Sequence, residues 1–199
     1  MHPEFDYIQV NRDTWNQRTQ AHLNSSFYNL PDFKKGTSSL NEIELSLLGN
    51  IEGKSILHLQ CHFGMDTLSW ARAGASVTGV DISDTAIALA KEINTELQLN
   101  GHFVCCNVYD TAAHVAQQFD IVFTSYGTIG WLPDLTPWAT MIAQKLKPGG
   151  FFYIADFHPT LWMLDDNMEK LTYSYFNDEV IVTEQKGTYT DREAPIAYT

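Results

Sequence analysis

The sequence predicts an α/β fold built on a doubly wound, mainly parallel sheet with helices on both faces. Three observations lead there. Apolar runs of strand length alternate with helix-period segments between residues 55 and 156. Glycine or a polar residue follows each run, as Gly64, Gly74, Asp81 and Gly149 do. Residues 55–83, SILHLQCHFGMDTLSWARAGASVTGVDIS, read strand, tight loop, helix and strand, and that second strand ends on a carboxylate. Two parallel strands joined by a helix form a βαβ unit, whose ligand sits outside the carboxyl ends of the strands. Asp81 stands at that place, with two acceptor oxygens that match the two vicinal hydroxyls of a ribose.

Taken in order, residues 6–23 predict a helix holding Trp15, with Asn11 and Asp13 as candidate N-caps. Residues 27–39, with Pro31 and Gly36, read as loop. Residues 40–48 carry Leu40, Ile43, Leu47 and Leu48 at helical spacing, and Gly49 stops them. The first strand, 55–60, is too short for a helix and rich in Ile and Leu. A helix over 65–72 and a β-branched strand over 76–80 follow. Residues 84–97 predict a helix capped by Ser83 or Asp84, with Ile87, Ala90, Ile93 and Leu97 as its stripe. A third strand spans 102–106, a short helix 112–118 and a fourth strand 119–124. A helix over 138–146 is stopped by Lys147-Pro148-Gly149-Gly150, and a fifth strand covers 151–156. Beyond Pro159 the pattern weakens, and 179–183 with 187–190 predict a hairpin around Lys186-Gly187.

With 199 residues, 44% hydrophobic and 18% charged, the chain suits one domain with a core of its own. No apolar run approaches the roughly 20 residues of a membrane helix, and MHPEFDYIQV has neither a basic start nor an apolar signal region. The net charge of -12 argues against a nucleic-acid partner, since Lys34-Lys35 is the nearest thing to a basic patch. Cys105 and Cys106 adjoin on a strand and point to opposite faces. Three cysteines therefore fit a reduced, cytoplasmic chain.

The 55–81 block, the turn at 107–110 and LKPGGFFYIADFHP together resemble the class I S-adenosylmethionine-dependent methyltransferases. More narrowly, the chain resembles a bacterial small-molecule methyltransferase group whose first motif reads LHLQCHFG. The resemblance covers most of residues 10–160. It implies a Rossmann-like methyltransferase fold in one domain. That domain would comprise an N-terminal helical lid (1–50), a cofactor-binding core (51–158) and a substrate-side extension (159–199). It further implies that S-adenosyl-L-methionine gives its methyl group to a small-molecule acceptor, in a monomer or homodimer. The implied cofactor-binding residues are Leu59, Gln60, Cys61, His62 and Gly64 for the methionine part, and Asp81 with Ile82 for the ribose. Asn107 and Val108 would edge the adenine, Ser125 and Tyr126 would lie beside the sulfonium, and Trp15 would bind the cofactor from the lid. Two features depart from the family pattern. His58, Gln60 and His62 stand where an acidic residue and two glycines are usual, and only Gly64 survives. The closing helix and antiparallel strand pair that usually end the sheet are not found after Pro159.

His158, after the fifth strand, and Tyr126 are the candidate general bases for the acceptor's proton. His58, inside a strand, reads as a hydrogen-bonded core histidine, and Cys61 as a small buried residue. His58 and His62 are four apart, but on a strand and loop rather than a helix, so no metal is expected. Two other functions share the fold: a non-catalytic S-adenosylmethionine-binding regulator and a nicotinamide-dependent oxidoreductase. The second lacks its G-x-G-x-x-G loop.

Overall fold

The computed structural model describes residues 6–165, 167–176, 185–194 and 197–198. Five strands form one sheet in the order β3-β2-β1-β4-β5, every neighbouring pair parallel. They are β1 (Ser55–Leu59), β2 (Ser76–Asp81), β3 (His102–Cys105), β4 (Phe119–Ser125) and β5 (Leu146–Ala155). The chain builds outward from β1 to β3, then crosses back to lay β4 on the other side of β1. The switch point therefore lies between β1 and β4, where the first helices leave opposite faces of the sheet and open a crevice.

The central strands of the sheet are buried on both faces. Ile56, Val77, Ile121, Phe123 and Tyr153 pack under Leu48, Ile51 and Trp70. On the opposite face Leu57, Leu59, Val80 and Val122 meet Trp138, Met141 and Ile142 of α7 (Leu135–Lys145). Phe63, Met65, Leu68, Ile87, Ala90, Ile93 and Phe103 join α4 (Met65–Arg72) to α5 (Asp84–Glu96). Double-sided burial is why β1 and β4 read as continuous apolar runs rather than alternating ones. At the far end from the crevice, Asp120 Oδ2 accepts from Ser55 N–H (2.8 Å) and Lys147 Nζ (3.0 Å), tying the starts of β1, β4 and β5.

Several elements differ from the sequence reading. Helix α1 (Tyr7–Leu23) is capped by Asp6, which accepts from Gln9 N–H, rather than by Asn11 or Asp13. Residues 27–39 contain a short helix, α2 (Leu30–Lys34), begun by Pro31 in its first turn. Helix α3 (Glu42–Leu48) follows. Ser83, not Asp84, caps α5, with Oγ accepting from Ala86 N–H at 3.0 Å. The short helix expected at 112–118 lies earlier, as a 3-10 turn (Val108–Asp110) running into α6 (Thr111–His114). Helix α7 starts three residues before Trp138, on an Asp134 cap. Strand β5 begins at Leu146, so Pro148-Gly149-Gly150 lies inside it, at a sheet edge where proline costs no ladder bond and where its register with β4 shifts.

A two-residue pair, β6 (Gln185–Lys186) with β7 (Ala197–Tyr198), is antiparallel. The first arm of the expected hairpin, 179–183, lies outside the described residues, and 187–190 is turn rather than strand. Among the described residues no strand continues the main sheet beyond β5, and no helix is long and apolar enough to cross a membrane.

Candidate functional site

The crevice at the switch point opens into a cleft of about 2120 Å³. That exceeds the roughly 300–1,000 Å³ typical of a single small-molecule site, so two ligands fit side by side. Of the residues singled out in the sequence, Trp15, Gln60, Cys61, His62, Gly64, Asp81, Ile82, Asn107, Val108, Ser125 and Tyr126 line it. Leu59 does not. It is fully buried behind the cleft, with its carbonyl accepting from Thr124 Oγ1. His158 does not line it either. Its ring is exposed and caps the following turn, accepting from Thr160 N–H at 3.3 Å, as the His-Pro start of a 3-10 turn favours.

The loop after β1 is held in a conformation glycine would ordinarily supply. Gln60 and His62 have φ of 55° and 50°, and Gly64 has 79°. The left-handed pattern at alternate positions thus survives the replacement of two glycines by side chains, at about 1–2 kcal/mol each. Gly64 alone has no such latitude, because a Cβ there would lie 2.6 Å from the Phe103 ring. The side chains are put to use. Gln60 Nε2 donates to the Thr128 carbonyl (2.9 Å), and His62 Nε2 faces His22 Nδ1 (2.9 Å). Gln60 Oε1 and His62 Nδ1 are buried and have no hydrogen-bond partner among the described residues.

Asp81 closes β2 beside this loop. Its Oδ2 accepts from His62 N–H (2.8 Å) and its Oδ1 from Ser83 N–H (2.9 Å). Burial lifts its pKa to about 6, against those backbone donors that pull it down. Two of its roughly four lone-pair sites are taken, which leaves one acceptor on each oxygen.

Helix α1 covers the cleft. Asn16 accepts from Ser83 Oγ (2.6 Å) and donates to Asp84 Oδ1 (2.8 Å), seating the helix on the start of α5. Asn11 donates to the Trp131 carbonyl (3.2 Å). The Trp15 ring meets His62 and Trp131 edge-on, and the Arg18 guanidinium lies over the Trp15 and Trp131 rings at 5.2 and 4.9 Å. His22 is buried at the same place. Burial and then Arg18 lower its pKa to about 4, while burial, His22 and Arg18 hold His62 well below the usual value. The pair is therefore neutral near pH 7. His58 donates or accepts with Thr67 Oγ1 at 2.8 Å inside the core.

On the β4 side, Asp66 in the first turn of α4 binds Ser39 Oγ (2.6 Å) and Ser125 Oγ (3.2 Å). Burial raises its pKa to about 6, partly offset by those two hydroxyls. Tyr126 OH accepts from Asn41 Nδ2 at 3.0 Å. Asp156, after β5, accepts from the N–H groups of Gly127 (2.7 Å), Thr128 (3.2 Å), Ile129 (3.3 Å) and Phe157 (2.7 Å), and so shapes the loop that follows β4. Sequence reasoning passed over Arg18, Asp66, Tyr28 and Tyr189. Asp66 carried only the ordinary signal of an acid in a helix's first turn. The others reach the cleft through long-range packing.

Residues 56–150 match the model of a family described as a methyltransferase domain. The ubiquinone biosynthesis O-methyltransferase of Hydrogenovibrio crunogenus is 28% identical over 144 residues, covering 71% of this chain and 56% of that protein. Its counterpart from Salmonella newport is 30% identical over 146 residues, covering 70% of this chain and 60% of that protein. The chain thus spans less than two thirds of the length of either curated relative. Among solved structures, the DhpI–SAH complex superposes with a TM-score of 0.57 at 22% identity, over 75% of this chain and 69% of that one, a likeness of fold.

Proposed function

We propose that the chain is a class I S-adenosylmethionine-dependent methyltransferase that moves a methyl group to a small-molecule acceptor, a reading supported by the match of residues 56–150 to a methyltransferase-domain model. The observation that carries the reading is Asp81, whose two oxygens each keep an acceptor site beside a loop of left-handed backbone. That donor set fits the cofactor. Asp81 would hold the ribose hydroxyls, and Asn107, Val108 and Ile82 would flank the base. The unpartnered Gln60 Oε1 and His62 Nδ1, together with the Arg18 cation, offer groups for the amino-acid end. When bound, S-adenosylmethionine supplies an electrophilic methyl on a sulfonium.

The chain's own contribution is positional. Residues 51–158 would fix one reactant, and the size of the cleft leaves room for the second beside Ser125 and Tyr126. Helix α1, within a lid formed by residues 1–50, and residues 159–199 would exclude water. His158, turned into its own cap, is not the base in this reading, and Asp66 replaces it as the carboxylate at the cleft wall. The three free cysteines and net charge of -12 fit a cytoplasmic protein without a nucleic-acid partner.

Calorimetric titration with S-adenosylhomocysteine beside NAD tests the proposal. Binding of the first alone, lost in Asp81→Ala, is expected. Equal affinity in that variant, or binding of NAD instead, refutes it.

A further inference from the structure

One wall of the cleft is chemically unlike the rest. It runs from Asp66 through Ser125 to Tyr126, and on to the rings of Phe157 and Trp162. Tyr126 and Phe157 have centroids 6.3 Å apart, and Phe157 and Trp162 meet edge-on at 6.0 Å. These rings keep 39%, 45% and 52% of their surface open. The partners of Asp66 are two neutral hydroxyls, and among the described residues no cationic side chain pairs with it. Behind Tyr126, Glu44 is fully buried with Oε2 unpartnered.

We propose that the methyl acceptor is an amine rather than a phenol, seated between the Asp66 carboxylate and the faces of Tyr126, Phe157 and Trp162. The inference rests on the methyl-transfer reading above and narrows its substrate. An ammonium supplies the counter-charge that Asp66 lacks, and aromatic faces attract it further, by about 0.5–2 kcal/mol per contact. Before the nitrogen is nucleophilic it must lose one proton. Asp66 is placed to take it, leaving a neutral amine and a neutral carboxylic acid. A phenol would instead have to ionise beside Asp66 and Glu44. The wall's own phenol reports how poorly that is tolerated. Burial first and then the Glu44 carboxylate push the Tyr126 hydroxyl above the usual tyrosine value. The curated relatives are O-methyltransferases by name, so this chain would differ from them in acceptor chemistry.

The test titrates the protein, saturated with S-adenosylhomocysteine, with 2-phenylethylamine, its neutral isostere 2-phenylethanol, and 4-ethylphenol. The amine is expected to bind at least tenfold more tightly than either. Asp66→Asn should abolish that preference and Asp66→Glu, which keeps the charge, should retain it. S-adenosylhomocysteine affinity, measured first on each variant, confirms an intact cofactor end. Failure of wild-type protein to bind S-adenosylhomocysteine refutes the methyl-transfer reading, and the acceptor inference falls with it. If S-adenosylhomocysteine binds but the alcohol or phenol equals or beats the amine, or none of the three binds, the amine assignment alone is overturned. A preference that survives in Asp66→Asn also overturns it.

Discussion

Lowering the pH across the Asp81 titration is the sharpest perturbation of the proposed cofactor site. In the free protein the carboxyl is held at about 6 by burial, whereas an unfolded aspartate titrates near 3.9. A ribose donates two hydroxyl hydrogen bonds to the ionised form and loses one acceptor when the acid is protonated. Bound ligand therefore lowers the folded pKa, and binding releases a proton as pH falls below about 6. Affinity should be flat from pH 8 to 7 and fall towards tenfold per unit below 6, so about tenfold is lost by pH 5. The same raised pKa has a stability sign. Its contribution is present below the unfolded pKa and is lost as pH rises through about 6. Ligand-free protein thus gains stability between pH 7 and 4 from this group while ligand affinity declines. Asp66, also near 6, titrates in the same window, so the measurement is repeated in Asp66→Asn. Calorimetry with S-adenosylhomocysteine at half-unit steps from pH 5 to 8, in buffers of different ionisation enthalpy, reads both affinity and proton release. Asp81→Ala should weaken binding by about 3–5 kcal/mol, the worth of two hydrogen bonds to a charged group, and abolish the slope. A flat profile in wild type, or a slope that vanishes in Asp66→Asn and persists in Asp81→Ala, refutes the assignment.

Gly64→Ala places a Cβ 2.6 Å from the Phe103 ring at φ 79°. It should cost about 2–4 kcal/mol in chemical denaturation, since strain and overpacking add. Asp156→Ala removes the acceptor for three backbone N–H groups of the loop after β4, and for that of Phe157. Faster hydrogen exchange at residues 127–129 and about 2 kcal/mol of lost stability are expected, with exchange in β1 unchanged. His62→Gly relieves a left-handed side chain but deletes the contact to His22. Thermal stability should change by less than about 1 kcal/mol, while proteolysis within α1 should become faster. Phe123→Ala, in a fully buried strand position stacked on Tyr153, should cost about 3–5 kcal/mol, read by urea unfolding.

The sheet was legible because a parallel strand buried on both faces is short and mostly apolar without strict alternation, as 55–60, 76–80 and 119–124 are. Asp81 was legible for the same reason, since a carboxylate directly after a buried strand is conspicuous. Strand β5 was read five residues late, because Pro148-Gly149-Gly150 spells a stop in any local code, while an edge position tolerates it. His158 reached the sequence reading by its place after β5, and nothing local to it reveals that the ring caps Thr160 rather than facing the cleft. Arg18 was invisible for a different reason. Helix α1 buries Thr14, Arg18, Thr19 and His22, a polar face whose partners, Trp131 and His62, lie forty or more residues away, so apolar periodicity carries no trace of it. Gln60 and His62 stand where the family pattern has glycines, and the backbone is left-handed at both.

The attachments of α1 have a kinetic consequence. Asn16 is bonded to Ser83 and Asp84, and His22 faces His62. Asp81 takes its two backbone hydrogen bonds from His62 and Ser83. The helix and the carboxylate thus hold the same two loops from opposite sides. An outward excursion of α1 slackens both loops together, so gaining an exit and loosening the ligand's grip are one event. Ligand residence time is then timed by the helix, and a substitution at Asn16, which lies outside the cleft lining, would shorten it.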